Sequence, residues 1–327
     1  MPELLYLSRA DVERLELSMR AVVDAVEEGF RLKGSGETEM PPKPALHPGG
    51  GAFIHAMPAL VRGEVGLAAL KWVAVYNTNP ARGLPALAAV LVLSDAADGR
   101  PLAVMDAALL TALRTGASVG VAARRLARDD VAVAGMLGCG VQARTSLAAL
   151  VEVLPRLAEV RCYDVSPVAL RAFVDEMKAA FPVLSFTTCA EAAEVCRGAG
   201  VVVSAISMGT GARPPLGAGL LEAGALAVAL DYDAAWPASA MAACDRVVCD
   251  DVGQVRATAA QGTYFGGLPL ERLEDLGDVV AGAAPGRGGA GQRILALNLG
   301  IAVDDVMAAR LIYLRARERG VGRLLPL

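Results

Sequence analysis

Val131-Ala132-Val133-Ala134-Gly135-Met136-Leu137-Gly138-Cys139-Gly140-Val141-Gln142-Ala143 is the stretch that decides the fold. An apolar, strand-like run ends in G-x-G-x-x-A and passes directly into helix-forming sequence. In such a turn Gly138 permits the tight bend and Gly140 lets a pyrophosphate approach the backbone. The small Ala143 lets the helix pack on the strand, and the helix N-terminus faces the phosphates. A glycine-rich turn with no ligand is the plain alternative. Here, however, strand, turn, helix and next strand follow in the order the motif requires. The expected ligand is a dinucleotide, with Gly138, Gly140, Val141, Gln142 and Ala143 at its phosphates.

The following run, Glu159 to Asp164, ends in an acid twenty-six residues after Gly138. A carboxylate there accepts both ribose hydroxyls and repels a 2′-phosphate, so NAD(H) is expected in preference to NADP(H). The other reading of Asp164 is a helix cap ahead of Ser166-Pro167. Further on, Val201 to Ser207 ends in small residues, and Ser204 and Ser207 suit backbone passing close to a nicotinamide ribose. A plain buried strand would look similar.

Working outward, β-rich runs at 131–137, 158–164, 183–188, 200–206, 225–231 and 246–250 alternate with helical stretches at 141–153, 167–180, 190–197 and 237–243. That alternation predicts βαβ units and a parallel sheet. The N-terminal third differs. Helical spacing over 9–32 gives way to a Pro- and Gly-rich stretch at 41–51, then to strand-like runs at 52–57, 67–76 and 86–93. Residues 77–83 form a turn-rich loop, and 106–127 reads as one Ala-rich helix containing Arg114-Thr115-Gly116. Beyond a Gly-rich, exposed segment at 282–291, a last helix over 297–319 is long enough to pack back on the first region. The fold class is therefore α/β: a Rossmann-type doubly wound parallel sheet at 128–296, inserted in a discontinuous α+β domain of 1–127 plus 297–327.

Composition excludes several classes. Of 327 residues, 54% are hydrophobic and 20% charged, which supplies a large core and excludes intrinsic disorder. A net charge of −4 argues against a nucleic-acid or anionic-membrane partner. No apolar run has the length of a membrane span, and the acids Glu3, Asp11, Glu13 and Glu16 are foreign to a signal peptide, so a cytoplasmic protein is expected. The six cysteines form no CxxC pair and the two histidines are remote from them, so no metal site and six reduced thiols are expected. Lysine is scarce, with only Lys33, Lys43, Lys71 and Lys178 among 31 basic residues. A retained lysine in such a chain draws attention, because lysine and arginine are not interchangeable.

Five runs in order resemble the ornithine cyclodeaminase / mu-crystallin family across essentially the whole chain. They are Ala56-Met57-Pro58-Ala59, Asn79-Pro80-Ala81-Arg82-Gly83-Leu84-Pro85, Thr111-Ala112-Leu113-Arg114-Thr115-Gly116, Gly138-Cys139-Gly140-Val141-Gln142-Ala143 and Leu299-Gly300-Ile301-Ala302-Val303-Asp304-Asp305. The resemblance implies that the outer domain binds substrate and forms a homodimer through a shared sheet or barrel. It also implies hydride transfer at an α-carbon bearing nitrogen, by a dehydrogenase or ketimine reductase of amino or imino acids. A cyclodeaminase of the ornithine type is a second expectation. A mu-crystallin-like protein that binds nucleotide and a small ligand is a third, of another class.

Carried over by position, the substrate-carboxylate cations are Lys43, Lys71 and Arg114, and Thr115 and Asn298 fall on the cofactor. Two of four lysines and an arginine inside an apolar helix suit convergence on a carboxylate. The acid/base aspartate falls in Leu230-Asp231-Tyr232-Asp233, with Asp233 in position and Asp231 kept as a second candidate. Three departures stand out. His55 replaces a glutamate that handles a distal ammonium in ornithine cyclodeaminase, Pro237 replaces a lysine, and Asn298 replaces a serine. His55 reads either as a substrate-facing group or as a satisfied strand histidine, and His47 as a loop residue.

Overall fold

The structure, a computed structural model, describes residues 3–207 and 214–327. These form two compact units, Met1–Arg114 with Ile301–Leu327, and Thr115–Gly300. The chain begins β1 (Glu3–Leu7), α1 (Arg9–Glu13), α2 (Met19–Gly34), β2 (Thr38–Glu39), β3 (Ala45–Gly49), β4 (Ala52–Val61), β5 (Leu67–Val75), β6 (Leu87–Asp95), β7 (Pro101–Asp106) and α3 (Ala108–Leu126). There follow β8 (Val133–Leu137), α4 (Val141–Val153), β9 (Glu159–Tyr163), α5 (Pro167–Ala180), β10 (Ser185–Thr188), β11 (Val201–Ser204), β12 (Leu226–Ala229) and α6 (Ala238–Ala242). The chain ends with β13 (Arg246–Cys249), α7 (Val252–Ala260), β14 (Leu273–Asp275), α8 (Leu276–Ala281), β15 (Ile294–Leu297), α9 (Ala302–Arg319) and β16 (Arg323–Pro326).

In the first unit the strands run in the order β16-β1-β7-β6-β5-β4-β2, with β3 also paired to β4. All neighbours are antiparallel except β1 and β7. Alternation assigns the faces. Met57, Ala59 and Val61 of β4, Ala69, Lys71 and Val73 of β5, and Leu91 and Leu93 of β6 are buried on one side. Helix α9 covers that side and is itself packed by α2, where a Cβ on Gly29 would stand 2.9 Å from Met307 Cγ. The other side leaves Leu70, Trp72 and Val90 more than 40% exposed on adjoining strands.

The second unit is a wholly parallel sheet in the order β10-β9-β8-β11-β12-β15-β13-β14. Successive strands depart to opposite sides of β8, so the crevice at the carboxyl ends of β8 and β11 is a topological switch point, where open α/β sheets bind ligands. Trp236, Val255, Phe265 and Leu295 belong to one buried core on the sheet.

Several sequence expectations need correction. The helix expected over 9–32 is two: Ser8 caps α1 in a capping box with Asp11, Glu16 turns at φ +47°, and Ser18 caps α2. The helix expected from 106 begins at Ala108, because Pro101–Asp106 is a strand. That expected from 297 begins at Ala302, since Ile294–Leu297 joins the parallel sheet and Gly300 turns at φ +82°. The run at 190–197 is a 3₁₀ turn, Ala192–Cys196. The units accordingly divide at 114/115 and 300/301 where 127/128 and 296/297 were expected. From Thr115 on, α3 belongs to the second unit: a Cβ on Gly116 would lie 2.4 Å from the Thr145 backbone, and Arg287 Nε donates to Leu126 O. Among the described residues, no helix is long and apolar enough to cross a membrane, and no group of His, Cys, Asp or Glu is disposed to hold a metal.

Candidate active site

The crevice of the second unit holds a cavity of about 670 Å³. Gly138, Gly140 and Asp164 line it, as do Ile206, Ser207, Asp233 and Tyr264. Gly138 turns at φ +86°, and a Cβ there would stand 2.6 Å from Ala205 O. Nothing lies within 4 Å of the corresponding point on Gly140, so backbone at the head of α4 is open to an incoming group. Ala143 is fully buried, while Val141 is exposed in the first turn. Gln142 keeps a buried Oε1 without a hydrogen bond. Open glycine backbone over orphan helix N–H groups is the cradle a pyrophosphate needs, so the residues fit a dinucleotide.

Asp164 faces the cavity and braces the chain ahead of α5, whose N-cap is Ser166 and not Asp164 itself. One oxygen accepts from Cys139 N at 2.8 Å and the other from Ser166 N at 2.7 Å, ahead of α5, while its carboxylate also lines the cavity. On the buried side, Asn298 Nδ2 donates to Ser118 Oγ at 3.1 Å, and Ser118 Oγ to Thr115 O at 2.9 Å. Asn298 Oδ1 is a buried acceptor with no hydrogen bond. Thr115, in the middle of α3, and Asn298, just after β15, thus share one chain of contacts.

The two aspartates after β12 separate clearly. Asp231 is 1% exposed and accepts from Ser204 Oγ at 2.9 Å and from Ile206 N at 3.0 Å; burial raises its pKa to about 6. Its oxygens are thus occupied in bracing the strand end, as is the Ser204 hydroxyl. Asp233 instead faces the cavity, with one oxygen accepting from Phe265 N at 2.7 Å. That bond joins strained backbone on both sides. Tyr232 at φ +60° and Phe265 at φ +61° are two of the three non-glycine residues with positive φ among those described. Their rings stack at 5.8 Å, and Tyr232 also meets Tyr264 at 4.9 Å.

The first unit carries a buried group of charges. Lys71, fully buried on β5, donates to Asp305 Oδ1 at 2.7 Å, and Arg114 Nε pairs with the same oxygen at 2.9 Å. Two cations thus share one oxygen. Arg114 Nη1 is buried without a hydrogen bond, and so is Asp305 Oδ2. Burial, Arg114 and Lys43 together lower the Lys71 pKa to about 7, against the pull of Asp305. Half-buried His55, on β4 opposite Val73 and 4.6 Å from the Phe53 ring, is driven down to about 3 by burial and by Lys43, Lys71 and His47. It is a neutral strand histidine at physiological pH. Lys43 is half-buried just before β3, and His47 lies exposed on β3 rather than in a loop. A buried pair of cations with a donor left over has the chemistry to accept a carboxylate.

Sequence reasoning assigned no role to Asp305, although it lay inside a quoted run; an acid pair in the first turn of an apolar helix was the available signal. Nothing local in the sequence marked Tyr264 or the Phe265 N–H, because a chain turn brings them to Asp233.

The family model for the ornithine cyclodeaminase/mu-crystallin family matches residues 3–320. The chain is 33% identical to alanine dehydrogenase of Archaeoglobus fulgidus, covering 98% of this chain and 97% of that one. Among solved structures it is similar to Thermococcus litoralis Δ1-pyrroline-2-carboxylate reductase in complex with NADH and L-proline, with TM-score 0.87, 29% identity, and coverage of 98% and 99%. It is likewise similar to an archaeal alanine dehydrogenase dimer with bound NAD, with TM-score 0.85, 32% identity and full coverage of both chains. With its Rossmann-type sheet, glycine turn and buried cation pair, the chain belongs to the ornithine cyclodeaminase/mu-crystallin family.

Proposed function

We propose that this protein is an NAD(H)-dependent oxidoreductase acting on the C–N bond of an α-amino or α-imino acid. The observation that carries the reading is the cavity that opens on the bare backbone of Gly140 and includes the Asp233 carboxylate. When bound, NAD(H) supplies or accepts the hydride. Lys71 and Arg114, with Lys43, bind the substrate carboxylate, using the donors that Asp305 leaves unsatisfied. Asp233 moves the proton on the substrate nitrogen; its second oxygen remains available while Phe265 N fixes the first. Asp231 holds Ser204 and Ile206 in place, a positioning role. Asn298 Oδ1 and Thr115 serve the cofactor side, as do Ser207 and Asp164 at the cavity wall.

The neutral His55 offers no negative charge to a distal ammonium, which favours a dehydrogenase or ketimine reductase over a cyclodeaminase. A homodimer is supported by the exposed apolar sheet face at Leu70, Trp72 and Val90, which a second copy would cover, and by the dimeric relative. A panel of 2-oxo acids with ammonia, and of cyclic imino acids, followed by NADH absorbance, tests the reading. Consumption of NADH with one of them is expected. Ammonia release from ornithine without net NADH change would instead establish the cyclodeaminase, and NADH binding with no turnover the binding protein.

A further inference from the structure

Arg144, in the first turn of α4, stands where a cation is out of place. The N-terminal end of a helix carries partial positive charge, so a guanidinium there is disfavoured unless other groups hold it. Its contacts say what it is held for. Nη1 donates to Cys139 O at 2.7 Å and to Gly140 O at 3.0 Å, both in the glycine turn. Nε donates to Glu176 Oε2 of α5 at 2.6 Å, and the guanidinium lies 5.6 Å from the centre of the Phe173 ring. The N–H of the same Cys139 is bound by Asp164, and the N–H of Gly138 by Tyr163 O at 2.9 Å.

The peptides on both sides of Cys139 are therefore pinned, one by a carboxylate and one by a guanidinium. A glycine-flanked turn is the part of the chain freest to rotate its peptide planes, and a rotated plane would aim a carbonyl at an incoming phosphate. We propose that Arg144 is a positioning residue for the dinucleotide site: with Asp164 it clamps the Gly138-Cys139-Gly140 turn in its phosphate-accepting shape before the ligand arrives. Glu176 and Phe173, both on α5, orient the clamp, so the helix that follows the ribose-side acid also fixes the phosphate turn. Pre-organisation of this kind appears as ligand affinity, because ordering is not left to the binding step.

The proposal rests on the NAD(H) reading, and the test separates the two. NADH dissociation constants are measured by fluorescence for the unmodified protein, Arg144→Met, Arg144→Lys and Glu176→Gln, at low and high salt, with melting temperatures alongside. Arg144→Met, which keeps the stem and loses the donors, should bind NADH about tenfold more weakly at both salt concentrations. Arg144→Lys should recover part of that loss, because an ammonium still donates to Cys139 O. In steady state KM for NADH should rise, while KM for the amino or imino acid and kcat at saturating NADH stay within about twofold. A merely structural role would lower the melting temperature without that split. Unchanged NADH affinity in Arg144→Met overturns the clamp, and so does a loss that vanishes at high salt, which would be through-space attraction to phosphate. Should Arg144→Met fail to fold, Glu176→Gln must still weaken NADH, and its indifference overturns the clamp equally. Absence of NADH binding by the unmodified protein overturns the cofactor reading itself.

Discussion

Replacing Lys71 by arginine tests the carboxylate site through its charge. Lys71 has no solvent contact, and burial, Arg114 and Lys43 bring its pKa from 10.5 to about 7 despite Asp305. The cationic form binds carboxylate. Below pH 7 the free enzyme presents it in full, and above pH 7 each further pH unit leaves about tenfold less of it. Arginine stays protonated throughout. The ratio of kcat/KM for Lys71→Arg to that for the unmodified enzyme should thus be flat below pH 7 and climb about tenfold per unit well above it. Taking the ratio cancels titration of the substrate and of Asp233, which both enzymes share. The absolute level will drop because a larger side chain enters a fully buried position, so the slope is what counts. The assay is the initial rate at low amino or imino acid and saturating NAD(H) across that range. A flat ratio, or a bend near the ordinary lysine value, would refute the reasoning. Stability runs opposite to carboxylate binding: the folded pKa lies below the unfolded one, so the cost of burying this charge is complete below pH 7 and disappears as pH rises from 7 towards 10.5.

Four further outcomes are expected. Asp233→Asn should lower kcat by about 10²–10⁴-fold in steady-state assays, with NADH affinity by fluorescence preserved. Asp164→Ser should weaken NADH and NADPH together, because the same carboxylate braces Cys139 N; a clean exchange of preference in paired KM measurements would contradict that second duty. Gly138→Ala should abolish NADH binding, since its Cβ meets Ala205 O at 2.6 Å and φ is +86°; retained affinity in a titration would count against it. Trp72→Glu should shift sedimentation from dimer to monomer if the exposed sheet face is the contact, and an unchanged coefficient would move the interface elsewhere.

Much of the fold was legible because local chemistry and long-range topology agreed. The run from Val131 to Ala143 demands a strand, a turn and a helix at once, and it has them. Where the reading slipped, neighbours in space overrode sequence. Ile294–Leu297 is not legible as a strand because β12 and β13 flank it only in space, and Pro101–Asp106 takes its strand form from β6 and β1. Lys71 and Arg114 were visible as cations in apolar contexts. What was not visible was that one oxygen of Asp305 serves both, because their partner lies nearly two hundred residues or more along the chain. In sequence Asp233 stands ahead of Asp231 only by its position in the resemblance. The physical difference comes from the chain turn that brings Ser204 to Asp231 and Phe265 N to Asp233.

Transfer of label tests the central claim most directly. NADH deuterated at the nicotinamide carbon is incubated with the imino or 2-oxo acid and ammonia that support NADH consumption, and the product is analysed by mass spectrometry and NMR. One deuteron at the α-carbon of the amino acid, formed in equal amount to the NADH consumed and lost with Asp233→Asn, is the result predicted here. Binding of NADH with no label in any amino acid would contradict it.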